Sequence, residues 1–182
     1  GIGGAENCTN CVDDDGDGLT DFEDPSCCTA TNGLTLRRAS LQAAKKGNRL
    51  ELETQLTGGG LETIDPTKQD LHVQLRSQSG ELLCARIPAT SFKKKKKLWQ
   101  FVDRRLTTAG AKGIDGSVVR LLKGQKLQLR VQGKKKVELL GPVPGAGTMT
   151  VTFAFRDANG HRCATATRPS RAVGKKSTLR FP

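Results

Sequence analysis

The 182 residues carry 35% hydrophobic and only 4% aromatic side chains, with a formal net charge of +12. That supports one main domain with an appendage and a thin core, and no apolar run nears the ~18 residues of a membrane-spanning helix. Charge is divided along the chain: residues 1–36 hold eight acids and no Lys or Arg, and the other ten acids share the remainder with all 30 basic residues. An acidic head on a basic body suits docking within one chain, head-to-body contact between copies, or capture of an external polyanion.

The head contains the most specific stretch. From Asp13, the residues Asp13-Asp14-Asp15-Gly16-Asp17-Gly18-Leu19-Thr20-Asp21-Phe22-Glu23-Asp24 read D-x-D-x-D-G-x-x-D-x-x-D. A tightly wound loop turns positions 1, 3 and 5 toward one centre, and a hard cation such as calcium needs six to eight oxygens at roughly 2.3–2.6 Å. Asp13, Asp15 and Asp17 fill those positions, Gly18 permits the sharp turn, Leu19 offers its carbonyl, and Asp21 and Asp24 close the sphere. Two features depart from an EF-hand: Asp24 stands where the longer Glu is usual, and no amphipathic helix precedes Asp13. Cys8 and Cys11 precede the loop, and Cys27 and Cys28 follow it. Adjacent cysteines space poorly for zinc, and the carboxylate surroundings favour calcium with disulfides. Bridging the flanks would staple a segment too small for its own core, with Cys8 free to pair with Cys27 or Cys28.

Residues 6–28 resemble the calcium loops of thrombospondin type 3 repeats. They resemble still more the short C…DDDGDGLxDxxDxxC segments of secreted and surface proteins of myxobacteria and related bacteria. The resemblance implies a structural, extracellular Ca2+ site rather than a sensor that opens and closes. It carries Asp13, Asp15, Asp17, Asp21 and Asp24 over as ligands. Asn7-Cys8-Thr9 also fits the N-x-T rule, making Asn7 a candidate glycosylation acceptor.

After a polar linker at 29–33, period-two alternation marks Leu34–Ala39, Leu50–Leu56, Leu71–Arg76, Glu81–Ile87, Gly116–Leu122, Leu127–Val131 and Met149–Arg156 as strands. Turns at Ser77–Gly80 and Asp157–Gly160 join two hairpins. Both hairpins return through a Cys-Ala step, Cys84-Ala85 and Cys163-Ala164, and this echo favours a Cys84–Cys163 bridge, with two buried free thiols as the alternative. The pattern predicts an all-β fold, an antiparallel β-sandwich of immunoglobulin-like or jelly-roll-like type. Residues 1–32 form the disulfide-stapled calcium-binding segment and residues 33–182 the basic sandwich domain. The segment order of the body, Ile87 to Phe92, a Lys-rich turn, then Leu98 to Asp103, faintly resembles uncharacterised β-modules of bacterial surface proteins.

Lys93, Lys94, Lys95, Lys96 and Lys97 run unbroken beside Trp99, with shorter clusters at Lys134–Lys136 and Lys175–Lys176. A solvated hairpin tip explains the run, and contact with an acidic or neutral glycan is the functional alternative. No nucleic-acid-binding motif is present, and there is no Tyr. His72 and His161, the only histidines, lack an evident Ser or Asp partner, and no nucleophile elbow or metalloprotease motif occurs, so no catalytic residue is assigned. The sequence predicts a non-enzymatic, secreted or cell-surface structural protein clamped by Ca2+. Its expected partner is itself, in a head-to-tail filament or matrix, with a glycan-binding module as the alternative and a secreted hydrolase as a third reading.

Overall fold

The computed structural model describes residues 5–174 and 178–182; Lys175 and Lys176 lie outside them. Eleven strands follow in order: β1 (Thr31–Gln42), β2 (Asn48–Thr57), β3 (Asp70–Ser77), β4 (Gly80–Ile87), β5 (Lys93–Lys95), β6 (Leu98–Val102), β7 (Gly116–Leu122), β8 (Lys126–Val137), β9 (Gly147–Asp157), β10 (Gly160–Val173) and β11 (Thr178–Arg180). Short 3-10 turns interrupt them, one within the head at Asp21–Glu23, and there is no α-helix among the described residues. Among those residues no helix is therefore long and apolar enough to cross a membrane.

The fold is all-β and antiparallel, as the alternation predicts. Instead of two unconnected sheets, however, the strands join one curled sheet, a half-barrel, ordered β4-β3-β9-β10-β11-β1-β2-β8-β7-β6-β5. β1 and β10 create the continuity, because each runs long enough to pair in both halves. β10 pairs with β9 along Gly160–Ser170, then with β11 along Arg171–Val173. β1 opens with a short parallel pairing, Thr31 with Cys163 and Asn32 with Ala164, before turning to β2 and β11. The strand thus starts inside the expected linker.

A register shift between Leu36 and Arg38 explains the Arg37-Arg38 doublet. Leu34 and Leu36 face inward, the bulge adds one residue, and Ala39 and Leu41 take the inward phase. The halves close over one core. Leu71, Val73, Leu75, Phe153 and Phe155 meet Leu50, Leu52, Leu129 and Val131 from across the curl. Removing a large apolar side chain from water contributes roughly 1.5–3 kcal/mol, so this layer is the principal stabiliser of the sheet. Buried hydroxyls are satisfied within the ladders: Thr54 Oγ1 donates to Leu129 O (2.8 Å) and Ser117 Oγ to Arg130 O (2.8 Å).

The outer faces of the halves differ. On β3 and β9 the alternate residues His72, Gln74, Arg76 and Ala154 point away from the core, and the acidic head covers them. On β2 and β8 the alternate residues Arg49, Glu51, Gln128, Arg130 and Gln132 are left to solvent.

Candidate metal centre

The head is tied down by three disulfides that use every cysteine: Cys8–Cys27, Cys11–Cys84 and Cys28–Cys163. The first closes the acidic loop on itself, as flank bridging requires. The expected Cys84–Cys163 bridge is not formed. Cys84 lies on β4 and Cys163 on β10, with β3 and β9 between them. At ~4.8 Å per strand, that places them roughly 14 Å apart, well beyond the Cα separation a disulfide spans. Each instead reaches up to the head, so two bridges join the head to the body.

Docking is completed by side chains of the sheet. Gln74, fully buried, accepts the Phe22 N–H at its Oε1 (3.1 Å) and donates its Nε2 to the Thr20 carbonyl (3.0 Å). Arg76 makes a two-pronged ion pair with Glu23, Nε to Oε2 at 3.1 Å and Nη2 to Oε1 at 2.9 Å. The Thr20 hydroxyl meets Glu81. Phe22 is the apolar plug, packed with Cys27, Ala154 and Cys163 and flanked by His72 and His161 at ring distances of 4.9 and 5.7 Å.

Both histidines are therefore part of the docking floor. His161 Nε2 accepts the Thr29 N–H (3.0 Å), which requires the neutral ring, and burial with Arg156 and Arg162 nearby holds its pKa down. Burial, against the partial relief of Asp70 and together with Arg86 and Arg156, pushes the His72 pKa down to about 4. A histidine that ionises near 6.5 when unfolded and near 4 when folded stabilises above pH 6.5, and that contribution is lost as pH falls toward 4. The loss is on the order of 3 kcal/mol. His72→Leu is expected to leave the neutral-pH melting temperature unchanged or raised, because His72 Nε2 has no hydrogen-bond partner. It should also flatten the decline between pH 6.5 and 4 in chelator-containing buffer. An unchanged acid limb would remove His72 as its cause.

The loop is wound by its own carboxylates. Asp13 accepts the Gly16 and Gly18 N–H groups (2.8 Å each), Asp15 that of Asp17 (3.2 Å), and Asp17 that of Leu19 (2.9 Å). Gly18 has φ +91°, the left-handed backbone that its position demands. Ligand atoms of Asp15, Asp17 and Asp24 lie within 4.8 Å of one another, and a second group of Glu6, Asp13 and Asp15 shares Asp15 with the first. Four of the five predicted carboxylates are thus gathered.

Asp21 is not among them. It opens the 3-10 turn at φ +46° and is turned into the body, where its carboxylate accepts the Cys11 N–H at 3.1 Å beside the Cys11–Cys84 bridge. Burial pushes its pKa up to about 6. Glu6 was outside the twelve-residue pattern, yet it is buried and accepts the Asp14 N–H (2.9 Å) and the Asp21 N–H (3.1 Å), bracing both ends of the loop.

Electrostatics sharpen the picture. The Asp17 N–H favours the ionised form of Asp15, but lost solvation and the crowding Asp24 and Asp17 carboxylates prevail and push it up to about 6. Asp24 is held below its ordinary value, chiefly by the Ser26 N–H. Asp24 Oδ1 takes both Ser26 donors (2.8 Å each), whereas Oδ2, on a residue 3% exposed, has no partner. A buried carboxylate oxygen without a donor, among other carboxylates, fits a cation. With no free thiol, and with neither histidine in these two groups, the donors are all oxygen, the set for a hard ion.

The remaining candidates are placed as follows. Asn7 is exposed, and its Oδ1 accepts the Thr9 N–H (3.1 Å) and hydroxyl (3.2 Å). Lys93–Lys95 form edge strand β5 instead of a bare tip, and Lys96 and Lys97 make the turn. Trp99 points into the core, with Lys94 Nζ 5.3 Å from the ring centre, so it offers no stacking surface to a glycan. No family model, curated protein or solved structure matches this chain.

Proposed function

We propose that this chain is a non-enzymatic, extracellular structural module whose acidic head is closed by calcium and held as a rigid cover on a β half-barrel. The single observation that carries the reading is the buried, partnerless Oδ2 of Asp24 within the Asp15–Asp17–Asp24 group. Calcium would offset the mutual repulsion of these carboxylates and bind tightly only when the loop is wound, linking metal affinity to head order. Asp13, Asp15, Asp17 and Asp24 are the ligands assigned here, with Glu6 beside them. Three disulfides and no free cysteine support an oxidising compartment.

Both histidines serve as packing for Phe22, which supports the non-enzymatic reading. Acidic head and basic body on one chain also support a filament or matrix of copies in head-to-tail contact.

Calorimetric titration of chelator-treated protein with CaCl2 tests the calcium site. One saturable event is expected, at least tenfold tighter than with MgCl2 and abolished in the Asp15→Asn, Asp17→Asn double variant. Absent heats, or equal affinity for both ions, would overturn the metal reading. Sedimentation velocity in calcium and in chelator tests assembly, and monomers in both would remove it.

A further inference from the structure

We propose that the wet outer face running from β10 through β11, β1, β2, β8, β7 and β6 to β5 binds a linear acidic polysaccharide. Strand register aligns three cations there, Arg38, Arg130 and Lys93, with Glu53 between the two arginines. One row crosses the sheet as Arg38, Glu53, Arg130, Val118, Gln100 and Lys93, each opposite the next on the neighbouring strand. Four clefts lie along this face and share walls. The cleft between Arg180 and Arg38 shares Arg38 and Ser40 with the next, of ≈ 730 Å³. That one shares Arg130, Gln132 and Lys134 with a third of ≈ 530 Å³, which meets the fourth at Gln100 and Val118. The track spans eight strands from β10 to β5, on the order of 30 Å at ~4.8 Å per strand.

The chemistry of the lining selects the ligand. Glu51 and Asp115 are the only acids lining these clefts among the described residues; Asp115 is buried, its Oδ2 accepting the Lys134 N–H and its Oδ1 without a partner. The Arg38 side chain is 75% exposed and that of Arg130 51%, and Glu53 between them pairs with both, at 3.6 and 2.9 Å, so an incoming anion shares these guanidinium groups with Glu53. Arginine forks match carboxylate and sulfate oxygens in pairs, and the interspersed Gln and Ser side chains suit hydroxyls. All six Phe rings and the one Trp are buried, and there is no Tyr. A face without an exposed ring has no stacking platform for nucleobases or sugar rings; the β6–β7 end carries exposed apolar Val102, Leu121 and Leu122, and ion pairs and hydrogen bonds supply the binding along the rest of the track.

The test measures binding of the calcium-loaded protein to polygalacturonate, dextran sulfate, uncharged dextran and a duplex DNA oligonucleotide at low and moderate salt. The expected result is salt-sensitive binding to one or both acidic polysaccharides, at least tenfold tighter than to DNA, with none to dextran. Arg49→Glu with Lys134→Glu, both exposed in the ≈ 730 Å³ cleft, should weaken it tenfold or more. The neutral pair Arg49→Gln with Lys134→Gln should weaken it several-fold, which guards against misfolding of the reversed pair. Arg168→Glu with Lys68→Glu makes the same charge change at exposed sites outside the clefts and should lose less than threefold. Equal losses in the two reversed pairs would reduce the effect to net charge and overturn the site. Equal or tighter binding to DNA, or none to either acidic polymer, would overturn the ligand class.

Discussion

Replacing Cys28 and Cys163 together by alanine is expected to cost more stability than removing either other disulfide. The bridge joins residues 135 apart in sequence, against 73 for Cys11–Cys84 and 19 for Cys8–Cys27. A cross-link stabilises mainly by restricting the unfolded chain, so chain-entropy scaling gives about 5 kcal/mol for the longest loop and about 3 for the shortest. Paired alanines leave no stray thiol, and both sites can accept a small apolar side chain, since Cys163 is buried beside Phe22 and Ala154. Guanidinium unfolding of the three double variants, in saturating calcium, would rank the losses. If the Cys28–Cys163 variant lost no more than the Cys8–Cys27 variant, the tie between head and body would not govern the stability of the fold.

The second large effect reverses sign with conditions. Asp24→Asn is expected to be at least as stable as the parent protein in chelator and markedly less stable in calcium. Without metal, the substitution gives up a charge that the Ser26 donors favour but relieves the crowding that pushes Asp15 up to about 6, and the Asn oxygen can keep the contact with Ser26. With metal, the same substitution removes a charged ligand. Binding to the folded state alone adds RT ln(1 + [L]/Kd), about 2.7 kcal/mol at a hundredfold excess over Kd, and weakened affinity forfeits most of that. Thermal melts of both proteins in chelator and in millimolar calcium would show the curves crossing. A variant less stable by the same margin in both media would make Asp24 a structural acid with no role in metal binding.

How much of this was legible in the residues depended on how local each determinant is. The proximity of Asp13, Asp15, Asp17 and Asp24 was legible because a wound loop converts sequence spacing directly into proximity. Asp21 fits the same spacing, but its direction is set by the Cys11–Cys84 link, a tertiary fact that no local pattern contains. Glu6 escaped for the complementary reason: it braces the loop from outside the repeat.

The clear strands are those that alternate apolar and polar residues, such as β2 and β9. β10 is longer than its pattern suggests, because Pro169 and the small polar residues around it read as an ending. Here the proline pairs opposite Thr148 near the end of the β9 ladder. β11, with three residues, and β5, with only lysines, carry no alternation to read. The cysteine echo misled because equivalent positions in two hairpins need not be neighbours, and the strand order separates them by two intervening strands.

The head covers one outer face of the curled sheet, and the cationic track occupies the outer face across the shared core. The two charge groups are therefore separated by the thickness of the protein and cannot collapse onto each other. Such a molecule has a permanent electric moment directed through its core. Near an anionic layer it would be turned before contact, track inward and calcium loop outward. The acidic head would then face the bulk medium, so the proposed metal exchange and the proposed adhesion would proceed on opposite sides without competing. Over many molecules, orientation at the surface would present a uniform outward sheet of carboxylate loops, whose charge, on the calcium reading proposed above, would follow the calcium level of the surrounding fluid.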